Sequence, residues 1–260
     1  MSLQQSIELH QLSVGYLRPR HIVAQDIEAT ARQGSLTCLI GRNGTGKSTL
    51  LRTIACLQPS ISGLVTIGGH DTTRLTPDEL AHTLSIVLTK RPYADNLTVG
   101  ETVALGRIPY TGFWGILSAN DKAIVNVAME RVGIAHMANR RICTLSDGEM
   151  QRVMIAKSLA QQTPVILLDE PTAFLDFPSK IDLLLLLRRL AHEENKTIIL
   201  STHDIETALH AADCLWLLNN DGITTGTPHD LAANGSIERY IGRSDVRLNQ
   251  QTLNLTIDIN

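Results

Sequence analysis

Gly41-Arg-Asn-Gly-Thr-Gly46-Lys47-Ser48 is the stretch from which the fold is read. A glycine, four residues and then Gly-Lys-Ser make a phosphate-loop pattern, and the apolar run Leu36 to Ile40 precedes it as a strand, with a helix expected to follow. Glycines let the backbone wrap until successive N–H groups face phosphate oxygens, and a helix N-terminus adds its positive end. Gly41, Asn43, Gly44, Thr45, Gly46 and Thr49 are therefore the candidate cradle. Lys47 is placed to reach the β- and γ-phosphates, and Ser48 to coordinate Mg²⁺. A plain glycine turn with an exposed lysine would need neither the strand nor the helix.

Two further strand ends carry chemistry. Val165-Ile-Leu-Leu168 is an apolar run that stops at Asp169-Glu170-Pro171. In a nucleotide hydrolase the first acid holds Mg²⁺ through its water shell, and the second orients and deprotonates the attacking water. His203 follows another apolar run, Thr197 to Leu200, in Ser201-Thr202-His203-Asp204. Parallel strands end on one sheet edge, so His203 is expected to meet the Asp169-Glu170 edge and the γ-phosphate.

Outward from these sites, short apolar runs alternate with helix-periodic segments, which predicts an α/β protein with a largely parallel sheet. Leu36 to Ile40, Val165 to Leu168, Thr197 to Leu200 and Cys214 to Leu218 read as its buried strands, whereas Ile7 to Val14, Ile22 to Ile27 and Leu64 to Ile67 suggest an antiparallel edge layer. The segment from about Arg91 to Gln162 has helical character. Ser118 and Asp121 can cap a helix running to about Val132, Glu149 to Gln161 has helical spacing, and Asn96 to Gly115 reads as a loop-rich connection suited to contacts. The expected organisation is one domain over 1–242, its core at 1–90 and 163–242, its helical subdomain at about 91–162, followed by a polar tail at 243–260. In that tail Leu253, Leu255, Ile257 and Ile259 alternate with polar residues, so it adds an edge strand to its own domain or pairs with a second subunit. Ile181 to Leu190 reads as a buried helix and Arg140-Arg141 as a solvated face.

The chain has 260 residues, net charge −3, 43% hydrophobic and 19% charged residues, enough apolar content for a packed core and against wholesale disorder. Near-balanced charge argues against a protein built to neutralise nucleic-acid phosphates. No run reaches the roughly 18–20 apolar residues that span a bilayer, and MSLQQSIELH lacks the basic start and apolar centre of a secretory signal. A cytosolic chain is expected. Cys38, Cys56, Cys143 and Cys214 are widely spaced and read as buried free thiols, not as a zinc or disulfide framework.

Leu145-Ser-Asp-Gly-Glu-Met-Gln-Arg152, lying between the phosphate loop and the strand acids, resembles the helix-opening signature of ABC transporter ATP-binding subunits. Other phosphate-loop kinases and GTPases lack it. The resemblance covers roughly residues 5 to 242 and implies a P-loop NTPase core with an antiparallel β edge layer and an inserted α-helical subdomain, hydrolysing Mg·ATP. It implies a head-to-tail homodimer in which Ser146 and Gly148 of one subunit close over ATP held by the other. It assigns Tyr16 to stacking on adenine, Asp176 in Ala173-Phe-Leu-Asp176 to the loop crossing between active sites, and His203 to the switch histidine. Lys47, Glu170 and His203 are the catalytic candidates, and Ser48 and Asp169 the metal ligands.

Two departures bear on this. Asp147 and Glu149 stand where the family usually has Gly and Gln, so two carboxylates sit near the expected phosphate; both suit a helix start, yet their charge is expected to weaken ATP closure unless they point away. Thr89 falls where the family presents Gln to the metal and water, and is too short to reach except through a water. Leu97 to Gly112, with Pro171 to Asp176, resembles importers of iron chelates, haem and vitamin B12, the iron-siderophore branch nearest. This implies an integral-membrane permease docked on the loop, indirectly a substrate-binding protein, and a location on the cytoplasmic face of the cell membrane. The rival within the family is a soluble ATPase acting on DNA or the ribosome. Such proteins usually carry coiled-coil insertions, zinc modules or two cassettes, and this sequence has no heptad run or basic arm.

Overall fold

A computed structural model describes residues 6–88, 96–219, 222–243 and 245–257. Along the chain run β1 (Ile7–Leu17), β2 (Arg20–Ala31), β3 (Leu36–Gly41), α1 (Lys47–Ile54), β4 (Ser62–Ile67) and β5 (His70–Asp71). Then come α2 (Pro77–Thr83), β6 (Leu84–Val87), α3 (Val99–Ala104), a 3₁₀ stretch at Leu105–Tyr110, α4 (Ala119–Arg131), α5 (Asp147–Ala160), β7 (Val165–Leu168) and α6 (Phe177–Glu194). β8 (Thr197–Thr202), α7 (Ile205–Ala211), β9 (Cys214–Asn219), β10 (Gly222–Gly226), α8 (Pro228–Ala233), α9 (Ser236–Ile241), β11 (Val246–Leu248) and β12 (Leu255–Ile257) complete it. The chain divides into two compact units, Met1–Arg74 with Leu187–Asn260, and Leu75–Leu186.

In the first unit β3 pairs in parallel with β8 on one side and β9 on the other, while β10 returns antiparallel to β9. All six residues of β3 and all six of β8 are buried, the pattern of strands covered on both faces. The start of β3 is fixed by Asp213: its Oδ2 accepts the Leu36 N–H at 2.8 Å and lies 2.8 Å from His192 Nε2, and its own N–H donates to the Leu36 carbonyl at 2.9 Å. The expected antiparallel layer is present as β2-β1-β4-β5, extended by the short β5 that the sequence reading omitted. In the tail, β12 pairs antiparallel with β11 of the same chain, Val246 facing Ile257.

The second unit holds the parallel β6–β7 pair, with Leu84 opposite Val165 and Val87 opposite Leu168, and a set of helices. The helices α2, α3, α4 and α5 all begin with a capping box, Thr76–Glu79, Thr98–Glu101, Ser118–Asp121 and Ser146–Glu149. In each, the hydroxyl accepts an N–H of the first turn and the acid reaches back to the cap residue's N–H. Val99, Val103, Val125, Met129, Val153 and Ala156 are buried and supply much of this unit's core. Within the loop-rich connection expected over Asn96 to Gly115, Val99–Ala104 is instead α3 and Leu105–Tyr110 the 3₁₀ stretch, while the residues on either side are non-helical. Backbone bonds from Val99 to Arg140, Gly100 to Ala138 and Ile142 to Leu97 fix this segment, all at 2.9 Å and all made far along the chain.

Candidate active site

The first unit builds the phosphate loop at the C-terminal end of β3. Gly41 is the last strand residue, and a Cβ there would land on Thr45 Oγ1 and the Lys47 stem, so the loop closes tightly only over glycine. Gly44 and Gly46 have φ of 85° and 100°, a left-handed backbone natural to glycine. Gly46 caps α1 without a side-chain hydrogen bond, and a Cβ on it would strike Val23 of β2. Asn43 and Gly44 are exposed, Thr45 Oγ1 donates to the Arg42 carbonyl at 2.9 Å, Ser48 is half-buried, and Thr49 is buried within α1. The buried Lys47 ammonium donates to the Gly41 carbonyl at 2.8 Å, so the cation is held inside the loop. A loop of amide donors around a buried cation fits a polyphosphate.

His203 is the residue after β8, exposed, at the same strand-end edge as Gly41, because β3 and β8 are parallel with Ile40 opposite Thr202. Asp204 caps α7 by accepting the Thr207 N–H at 3.1 Å, and its own N–H donates to Thr202 Oγ1 at 3.0 Å, which fixes the backbone on the far side of the histidine.

In the second unit β7 delivers Asp169, buried, whose N–H donates to the Val87 carbonyl at 2.8 Å and so extends the β6–β7 ladder to the first acid. Glu170 follows with φ 49°, a left-handed conformation uncommon for a glutamate, and is half-buried. Ser146 caps α5: its Oγ accepts the Glu149 N–H at 3.3 Å, and Glu149 Oε2 accepts the Ser146 N–H at 2.8 Å and its O–H at 3.1 Å. A Cβ on Gly148 would press within 3.3 Å of Leu175, so the signature turn lies against the 173–176 loop. Exposed Asp176 accepts the Ser179 N–H at 3.1 Å at the start of α6, and the Ser179 hydroxyl, together with that N–H, holds its carboxyl below the usual range.

A family model described as ABC transporter matches residues 24–173. The chain belongs to the ABC transporter family. An ABC transporter ATP-binding protein of Methanocaldococcus jannaschii, itself uncharacterized, is 42% identical over 214 residues, 82% of this chain and 73% of that one. The iron(3+)-hydroxamate import ATP-binding protein FhuC of Bacillus subtilis is 37% identical over 203 residues, 78% of this chain and 75% of its own. Among solved structures, a dimeric bacterial ABC transporter cassette superposes with TM-score 0.77 at 28% identity, covering 85% of this chain and 98% of that chain. This ABC chain is accordingly an ATP-hydrolysing cassette with a P-loop α/β fold.

Elsewhere in the ABC cassette, Tyr16 lies in the β1–β2 hairpin opposite His21 and is 49% exposed, an open ring face near the strand turn. Thr89 lies outside the described residues. The cysteine reading is corrected: Cys38 is buried, but Cys56 and Cys143 are exposed and Cys214 is intermediate, because they fall at a helix end, a 3₁₀ turn and a strand start instead of in a strand centre. Arg140 and Arg141 are exposed, as a solvated face would be, and Arg140 in addition bonds Glu149 at 2.9 Å and the Thr144 carbonyl at 3.0 Å. Sequence reasoning also missed Arg107, buried, which donates to Asp121 at 2.9 Å, the Ala160 carbonyl at 2.8 Å and Gln162 at 3.0 Å, and lies 3.8 Å over the Tyr110 ring. No helix among the described residues is long and apolar enough to cross a membrane.

Proposed function

We propose that this cassette powers an importer for iron chelates, within the group that also takes haem and cobalamin, through a separate membrane permease. The phosphate loop with its internally held Lys47 carries the nucleotide part of the reading. The iron-hydroxamate import relative and the Leu97 to Gly112 segment support the cargo.

In this scheme Lys47 exchanges its carbonyl partners for the β- and γ-phosphates, the loop amides hold the triphosphate, and Tyr16 stacks on adenine. Mg²⁺, when bound, would be held by Ser48, Asp169 and phosphate oxygens, and would neutralise charge on the transferring phosphoryl group. Glu170 accepts a proton from water as the water oxygen bonds to the γ-phosphorus. The β–γ P–O bond breaks, ADP keeps its electron pair, and His203 contacts the departing phosphate.

Two copies act head to tail, Ser146 and Gly148 of each closing over the other's ATP, with Asp176 at the crossing loop. The permease docks on the segment after α3, where Ile108, Phe113, Trp114 and Ile116 are 60%, 96%, 82% and 78% exposed. The working location is then the cytoplasmic face of the cell membrane, beside a permease served by a substrate-binding protein.

The test is reconstitution with a permease in vesicles that hold an iron chelate outside the compartment of uptake. ATP-dependent chelate uptake that stops on Lys47→Ala is the expected result. ATP hydrolysis without uptake of any iron chelate, haem or cobalamin would remove the cargo assignment, and nuclease-sensitive association in place of a membrane partner would remove transport itself.

A further inference from the structure

The signature serine is tied, through Glu149, to a cation six positions before it. Arg140 Nη1 donates to Glu149 Oε1 at 2.9 Å, and its Nη2 donates to the Thr144 carbonyl at 3.0 Å. The other oxygen of the same carboxylate, Oε2, takes the Ser146 N–H at 2.8 Å and the Ser146 hydroxyl at 3.1 Å. Arg140 is itself anchored: its N–H donates to the Met137 carbonyl at 2.8 Å, and its carbonyl accepts the Val99 N–H at 2.9 Å. The chain Arg140, Glu149, Ser146 therefore fixes one hydroxyl rotamer at the start of α5 through both oxygens of one carboxylate.

Charge gives the arrangement its consequence. A glutamate at this position caps the helix as well as a glutamine would, but it brings a full negative charge beside the hydroxyl. A triphosphate approaching that hydroxyl meets a repulsive neighbour unless a cation cancels it. The Arg140 guanidinium sits on the outer oxygen, leaving the inner one to the serine. The two side chains are 44% and 31% exposed, so the pair is weak in the open subunit, and its charge matters most once a closing partner excludes water.

We infer that Arg140 is a positioning residue for ATP closure: through Glu149 it orients Ser146 and cancels the carboxylate charge that would otherwise face the partner's ATP. The inference rests on the reading that Ser146 closes over that ATP. The experiment uses the full chain and measures ATP-dependent dimerisation by sedimentation together with the ATP dependence of hydrolysis. Arg140→Ala should raise the ATP needed for half-dimerisation, and KM, by roughly tenfold while kcat changes less than about twofold. Adding Glu149→Gln should return both to near the starting value, because glutamine keeps the cap without the charge. Arg140→Gln serves if the alanine variant folds poorly, and should behave as Arg140→Ala does. An unchanged ATP dependence in the arginine variants overturns the inference; so does failure of Glu149→Gln to rescue, which would assign Arg140 to the Thr144 carbonyl alone. Ser146→Arg reads the parent assignment separately. Turnover at the original level in that variant overturns the closing role of Ser146 and this inference with it, whereas lost turnover beside an indifferent Arg140→Ala overturns Arg140 only.

Discussion

Ile40 and Thr202 are direct partners in the parallel register of β3 and β8. Gly41, the last residue of β3, and His203, the first beyond β8, therefore leave the sheet side by side, and the histidine stands at the edge where the phosphate loop begins. Removing the imidazole should leave the loop intact. His203→Ala is expected to keep ATP binding and to lose on the order of 100-fold in turnover, the usual effect of deleting one polar contact to a transition state. Loss of ATP binding in equal measure would refute that placement of its role.

The strained backbone at Glu170 should not depend on its charge. Glu170→Gln is expected to bind ATP normally and lose about 100- to 10,000-fold in steady turnover, the range for a general base. Single-turnover hydrolysis at the parent rate would exclude Glu170 as the proton acceptor.

Arg107 and Asp121 are 3% and 7% exposed, so cutting one partner strands the other in a dry site. Arg107→Met should cost about 3 kcal/mol in urea unfolding, and Asp121→Asn added to it should recover part of the loss by removing the orphaned charge. If the double variant is no better than the single one, the guanidinium acts through the Ala160 carbonyl and not through the ion pair.

Hydrogen bonds from Thr98, Ser118 and Ser146 hold the carboxyls of Glu101, Asp121 and Glu149 below the usual carboxylate range. Folded-state affinities for protons are thus lower than unfolded ones, so the stability they contribute is complete above the unfolded values of about 4 and is lost as pH falls through the folded ones. The thermal midpoint should drop on acidification from pH 5 to pH 2, less steeply in a Glu101→Gln, Asp121→Asn variant. Identical slopes would contradict the capping account.

Burial, with the Asp213 charge and Cys214 adding to it, pushes the Cys38 thiol far above the ordinary range, whereas Cys56 and Cys143 are exposed. Maleimide followed by mass analysis should modify Cys56 and Cys143 in the native protein and Cys38 only after denaturation. Rapid native labelling of Cys38 would mean that β3 opens far more readily than its burial implies.

The buried strands β3, β7, β8 and β9 were legible because each is a short apolar run, as at Leu168 before Asp169, whereas β5, β10 and β11 carry no such run and, like β6, were not read. The cap at Ser118 and Asp121 was legible as a local pair three residues apart, whereas at α5 only the suitability of Asp147 and Glu149 for a helix start was read, not the Ser146–Glu149 box. The rest of what escaped was non-local. Asn96 to Gly115 looked like loop because its order depends on backbone bonds to 138–142, and the Arg140–Glu149 bond went unread because the 3₁₀ turn at Ile142–Thr144 brings its two ends together. Arg107, beside a glycine and near Pro109, carried no periodic signal that would announce a buried cation.

The chain has two tryptophans, and the fold sends them to opposite environments: Trp216 is fully buried in β9, opposite Leu39 of β3, while Trp114 is 82% exposed beside Phe113. One indole therefore emits from the dry strand neighbouring the phosphate loop, and the other from the outer tip of the segment after α3. Intrinsic fluorescence can then be split by a water-soluble quencher into two independent channels, so that contact at the tip and integrity of the nucleotide sheet are recorded in one cuvette without a label.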